Sequence, residues 1–234
     1  MSKYHFVAAL AVGTIFAADY HIDNRTTSVE VVSMTDDAQA RGLPLMQVVL
    51  KNTSKKRIET LMVGMEDWTF MRDVNIFHGG MPPGTTLTFD VPPLTQRPGG
   101  VDSLGSHDFH IFAVVFDDKT ADGDAAAIDR VFDDRAGKKQ QYARLLDLIE
   151  NVERNNSGDT RSTFNELVRR VAELPESTDV STKKWVGAGA SALRNAKVEN
   201  LKRLLSTDKA QDNEYLRSRL AALKDECKLF ANSL

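Results

Sequence analysis

The spacing of apolar residues changes once along this chain, near Asp118, and that change restricts the folds open to it. Before Asp118 the apolar residues alternate or gather in short runs. Val29 and Val31 with Met34, Met46 to Leu50, Ile58 to Met65, Leu87 with Phe89 and Val91, and Phe109 to Phe116 are candidate strands. Alternation with period two places one set of side chains on one face of a strand. Val74 to Phe77 adds a short candidate, and Gly79-Gly80, Pro82-Pro83-Gly84, Pro92-Pro93 and Pro98-Gly99-Gly100 supply turns. Short strands punctuated in this way predict an antiparallel, immunoglobulin-like β-sandwich over residues 19–118.

After Asp118 the period rises to about 3.6 residues, the repeat of an amphipathic helix. Ile128, Val131, Phe132, Leu145, Leu146, Ile149 and Val152 predict a long helix, capped by Asp124 and with a candidate bend at Gly137. Phe164, Leu167, Val168, Val171 and Leu174 predict a second, stopped at Pro175. Trp185, Val186, Leu193, Leu201, Leu204 and Leu205 predict a third. The fourth carries Leu216, Leu220, Leu223, Cys227 and Phe230 on one heptad stripe. The stripe lasts two heptads, and the polar stretch Asp208 to Asp212 is short enough for a turn. A helical hairpin with the helix of Leu201, Leu204 and Leu205 follows, with self-association through the stripe as the alternative. The expected class is α+β, with an α-helical region over 119–234 and its flexible joint at Asn155-Asn156-Ser157-Gly158-Asp159.

Lys3 precedes an uncharged apolar run from Phe6 to Ala18, and polar sequence starts at Asp19. The run is shorter than the ~20 residues of a membrane helix and matches the apolar core of a secretory signal, so residues 1–18 are read as a signal peptide. Ile15 or Phe16 occupies the third position back from the cleavage point, where small residues are preferred. The alternative is a buried first strand or helix. No other apolar run approaches a membrane span.

Charge and cysteine usage narrow the function classes. Thirty Lys and Arg against 33 Asp and Glu leave a net charge of -3, which provides no basic field for a nucleic acid. The single cysteine, Cys227, excludes an internal disulfide and a cysteine-ligated zinc site. Its place on the apolar stripe makes it a small packed hydrophobe.

The candidate chemical sites each have a plainer reading. Asp118, Thr120, Asp122, Gly123 and Asp129 fall at positions 1, 3, 5, 6 and 12 of a calcium-loop pattern. The twelfth position lacks the bidentate Glu, Ala125 occupies the usual apolar eighth position, and a strand precedes the loop. Asp118, Asp122 and Asp124 are therefore expected to form a polar strand-to-helix connection without tight calcium binding. His107 and His110 sit three apart, on opposite faces of a regular strand, and His78 lies in another loop, so no metal site is assigned. His5 falls in the signal segment. Val101-Asp-Ser-Leu-Gly105 lacks the first Gly of a nucleophile elbow. Gly187-Ala-Gly189-Ala-Ser-Ala192 lacks the third Gly and the preceding strand of a dinucleotide loop, and is read as letting two helices approach. Glu66-Asp67 and Asp133-Asp134 are ordinary surface pairs. Trp68 and Phe70, with Met62, Met65 and Met71, make an apolar cluster read as core. No catalytic, cofactor-binding or metal-binding residue is assigned.

Val48-Val49-Leu50-Lys51-Asn52-Thr53-Ser54-Lys55-Lys56-Arg57-Ile58 resembles the strand, Asn-x-Ser, basic turn and second strand that open immunoglobulin-like modules of exported bacterial proteins. Phe112 to Asp118, then a loop with Gly123-Asp124 and a long helix with Arg135 and Gln140-Gln141, resembles a group of uncharacterised secreted bacterial proteins. The resemblance implies export and a sandwich, and carries no site residues.

The combined expectation is a secreted or periplasmic, non-catalytic protein that binds another protein. An enzyme with a dispersed site between the two halves, and a structural protein that self-associates through its last helix, are the competing classes. Export predicts a mature terminus near Ala18 or Asp19, to be read by N-terminal sequencing of protein from its native host. Soluble cytoplasmic material that retains Met1 or Ser2 would overturn it.

Overall fold

The computed structural model describes residues 20–37, 45–65, 68–73, 79–91, 107–155, 159–175 and 184–233. The chain divides between Asp124 and Ala125 into two compact units. The first contains β1 (Tyr20–Asn24), β2 (Val29–Asp37), β3 (Leu45–Asn52), β4 (Ile58–Met65), β5 (Trp68–Asp73), β6 (Thr86–Val91), β7 (His107–Phe116) and β8 (Ala121–Gly123). The second contains α1 (Ala125–Asn155), α2 (Thr160–Ala172), α3 (Lys184–Leu205), a 3-10 turn (Asp208–Gln211) and α4 (Asn213–Ser233). The protein is therefore of the α+β class.

Two sheets build the first unit. One has the order β1-β7-β4-β5 with β8 also on β7, and the other has the order β2-β3-β6. Their apolar faces share one core, in which Val48, Leu50 and Phe89 meet Leu61, Val63, Phe109 and Ile111. Alternation is clean in β6, where Leu87 and Phe89 are buried and Thr86, Thr88 and Asp90 are exposed. It fails in β7, and a bulge explains why. Met62 pairs with Ala113 and Val63 with Ile111, so Phe112 is an extra residue in the ladder. One extra residue shifts the phase of every later side chain. Phe109 and Ile111 before the bulge, and Val114 and Phe116 after it, thus all reach the core.

The bulge also divides the outer flank of β7. β1 pairs parallel with His107 to Ile111, and β8 pairs antiparallel with Ala113 to Val115. The parallel pair corrects the expected antiparallel sandwich. Tyr-His-Ile-Asp-Asn has one aliphatic residue in five and no strand pattern of its own; β7 supplies the hydrogen-bonding partner that this segment needs. Gly123 ends β8 at a φ of 125°, and a Cβ there would stand 2.3 Å from the Phe112 carbonyl oxygen. Only glycine allows that approach. β8 also carries the β-rich unit past residue 118 to Asp124. The candidate strand at residues 74–77, the proposed signal segment and residues 156–158 of the proposed joint lie outside the described residues.

Helix ends follow their local sequence. Asp159 accepts the Ser162 N–H at 2.8 Å to cap α2, and Asp212 accepts the Glu214 N–H at 2.8 Å at the start of α4. α1 runs unbroken through Gly137, which serves close contact: a Cβ there would lie 1.9 Å from the Val186 carbonyl oxygen of α3. Gly189 of α3 makes the reciprocal approach, 2.3 Å from the Asp134 carbonyl oxygen.

The expected hairpin is corrected at its seam. α4 packs chiefly against α1, with the Tyr142 and Phe230 rings 5.0 Å apart and Lys224 Nζ 2.7 Å from Glu153. α3 likewise packs on α1, while the backbones of α3 and α4 approach each other far less than either approaches α1. The turn is as short as expected, but Leu216, Leu220, Cys227 and Phe230 are buried by the whole bundle and not by one neighbour. Leu220 is 6% exposed, so Leu220→Ala is expected to cost about 2–5 kcal/mol in urea unfolding. A change below about 0.5 kcal/mol would show that the stripe does not hold the bundle together.

Candidate functional site

Asp118, Thr120 and Asp122 of the calcium pattern have partners within the fold. Asp118 accepts the Thr120 N–H at 3.0 Å and its hydroxyl at 2.5 Å, and lies 2.7 Å from Lys56 Nζ. The Lys56 contact, followed by those of Thr120, brings its carboxyl down to about 2. Asp122 points elsewhere. Its Oδ2 accepts the Thr27 N–H at 2.7 Å, the Thr27 hydroxyl at 3.0 Å and the Ser28 hydroxyl at 2.6 Å. Burial raises the Asp122 carboxyl, but these donors outweigh it and leave the group below its ordinary value. Asp124 faces Arg25 at 3.9 Å. Asp129 is an exposed residue of α1. The three loop carboxylates thus fix a turn, anchor the segment after β1 and steady an arginine. Among the described residues, no group of three or more His, Cys, Asp or Glu has metal-holding geometry.

The parallel pairing of β1 and β7 brings together residues that sequence reasoning kept apart. His110 Nδ1 lies 3.1 Å from Asp23 Oδ2, and His21 Nδ1 lies 3.3 Å from Asp108. Asp23 also accepts from Arg25 Nε at 2.9 Å, and the Arg25 hydrogen bond, then that of His110, lowers its carboxyl. The Arg25 guanidinium sits 5.0 Å over Phe112, and the His110 ring stacks on Phe112 at 5.3 Å. An Asp–His pair can orient an imidazole for proton transfer, but nucleophilic chemistry needs a third group in reach. Among the described residues no Ser, Thr or Cys side chain is hydrogen-bonded to His110. His78 and the His107 side chain lie outside the described residues.

Other residues named from the sequence are structural where described. Met62 and Met65 are buried on β4, and the Trp68 and Phe70 side chains on β5 lie outside the described residues. Residues 66, 67 and 101–105 also lie outside them. Asp134 is buried and pairs with Lys138, so Asp133-Asp134 is no simple surface pair. Arg135 and Gln141, which carry part of the resemblance, are buried on α1, and neither amide atom of Gln141 has a partner among the described residues. Asn52 gives the other resembling stretch its form. It is fully buried, donates to the Lys56 and Met81 carbonyls and accepts from the Ser54 N–H at 2.9 Å, so the Asn-x-Ser spacing makes a turn.

The helical unit holds an open cleft of about 410 Å³ where the hairpin seam was expected. Phe164 of α2, Leu201 and Leu204 of α3, and Leu223 of α4 give it an apolar strip, set among polar side chains such as Asn200 and Thr207. At one end Lys197 pairs with Glu226, which also accepts from the Tyr142 hydroxyl at 3.1 Å. Lys197 is 7% exposed, and a charge so enclosed requires a partner. Leu193, Lys197 and Leu201 are four apart, so a lysine on an apolar stripe was the signal that could have found this pair. Arg203 and Arg219 stand on the rim. Behind the wall, burial pushes the Cys227 thiol up to about 12, against the opposing effect of Lys197, with Glu226 adding to the rise.

Comparison with family models, curated proteins and solved structures found no match to this chain.

The Asp122 geometry sets a test. A carboxyl lowered in the folded state stabilises fully above its unfolded value of ~3.9, and that stability is lost as pH falls through the folded value. Asp122→Asn is expected to cost roughly 1–3 kcal/mol at pH 7 and to flatten the loss of stability below pH ~4. Millimolar calcium should leave the melting temperature of the wild type unchanged. A calcium-dependent rise abolished by Asp122→Asn would mean that the loop binds the ion.

Proposed function

We propose that this chain is an exported, non-catalytic protein that docks a partner protein through its helical unit, in the periplasm or outside the cell. The observation that carries the reading is the cleft between α3 and α4, which holds an apolar strip of Phe164, Leu201, Leu204 and Leu223 beside charged side chains. A cleft between helices suits a helix-in-groove mode of recognition. Its lining presents packing surface, and its one internal ion pair is closed on itself. The uncharged run from Phe6 to Ala18 supports export, and a net charge of -3 speaks against a nucleic-acid partner. No helix among the described residues is long and apolar enough to cross a membrane. The two-sheet core fits a sandwich-like presenting module, while the parallel β1 and β7 pair weighs against an immunoglobulin-like topology for it.

The test is a photoreactive residue at Ala222, inside the cleft, compared with one at Ser218, outside its lining. Expressed in the native host, the Ala222 variant is expected to form a discrete covalent adduct with another protein in the exported fraction, and the Ser218 variant none. Absence of an adduct from Ala222 would overturn docking at the cleft. Recovery of the protein only from the cytoplasm would overturn export.

A further inference from the structure

Resting on that docking role, the geometry points to an acidic amphipathic helix of about three turns as the segment of the partner that fills the cleft. Length comes first. One wall runs from Lys197 on α3 to Thr207 just past its end, and the other from Tyr215 to Glu226 on α4. At 1.5 Å per residue each wall extends about 15 Å, the length of a ten-residue helix. Such a helix presents apolar residues at i, i+3, i+4 and i+7, which match the apolar lining of Phe164, Leu201, Leu204 and Leu223.

Charge then fixes the sign of the partner. Lys197 and Glu226 neutralise one another, which leaves Arg203 and Arg219 as the excess charge of the cleft. Arg203 donates to the Asn200 side-chain oxygen at 2.9 Å, and among the described residues no carboxylate pairs with either arginine. Other cations of the unit are matched among the described residues, Arg169 with Glu166 and Glu173, Lys202 with Glu199, and Lys224 with Glu153, while Arg217 and Lys228, away from the cleft lining, are not. Two guanidiniums on α3 and α4, on either wall of the cleft, favour carboxylates along both flanks of the incoming helix. A basic segment would meet like charge there.

The experiment is selection from a displayed library of sixteen-residue peptides against the full chain. Leucines are fixed at helical i, i+3, i+4 and i+7 spacing, and the remaining positions vary among Glu, Lys, Gln and Ser. Enrichment of Glu is expected, with binding that weakens as salt rises. The Arg203→Glu/Arg219→Glu variant should melt as the wild type does, because both side chains are exposed. It should bind the enriched peptides about tenfold or more weakly and select Lys instead. Enrichment of leucine-patterned peptides without charge preference would overturn the acidic partner and leave docking at the cleft standing. No enrichment, or enrichment of Lys by the wild type, would overturn it as well. Wild-type self-association in sedimentation, abolished by the double variant, would assign the cleft to a second copy and equally overturn it.

Discussion

The helical unit depends on two glycines that lie against the backbone of a neighbouring helix. A side chain at Gly137 would overlap the Val186 carbonyl, and one at Gly189 would overlap that of Asp134. With neither present, α1 and α3 meet main chain to main chain. Packed helices usually stand 8–10 Å apart, and glycine at the crossing permits the near limit. The consequence reaches beyond the crossing. α3 is drawn onto α1, α4 docks on α1 through Tyr142 and Phe230, and the two outer helices do not close on one another. The cleft is the space left by that arrangement, bridged at one end by Lys197 and Glu226.

In the β unit the comparable constraint is the bulge at Phe112. It turns β7 so that residues on both sides of it face the core, and it marks where β1 stops and β8 starts on the outer flank. Asp122 ties the two together, since its carboxylate on β8 gathers three donors from the turn after β1. One carboxylate of the acidic loop therefore links segments 94 and 95 residues apart in sequence. That is a structural use of residues whose spacing suggested an ion.

What the sequence made legible was whatever depends on apolar period. The strands from Val29, Met46, Ile58 and Phe109, and the four helices, show their pattern in their own residues. β1, β5 and β8 do not, because their order derives from neighbours: β1 and β8 borrow β7, and β5 borrows β4. The stripe of α4 was legible, but its partner was not, since a heptad reports a buried face and not what buries it. Lys197 and Glu226 were missed for the related reason that a buried ion pair is a property of two helices. The pairing of Asp23 with His110 needed the parallel register, which no local spacing encodes.

Cys227 gives the chain a reporter of its own. The thiol is fully buried on α4, and burial pushes it up to about 12, which disfavours the thiolate near neutral pH. The chain has no other cysteine, so any thiol labelling reports on this one position. Reaction of this one sulfur with an alkylating probe requires α4 to lift from the bundle. Its labelling rate in native buffer then measures how often that helix opens, a clock for local unfolding that needs no engineered site.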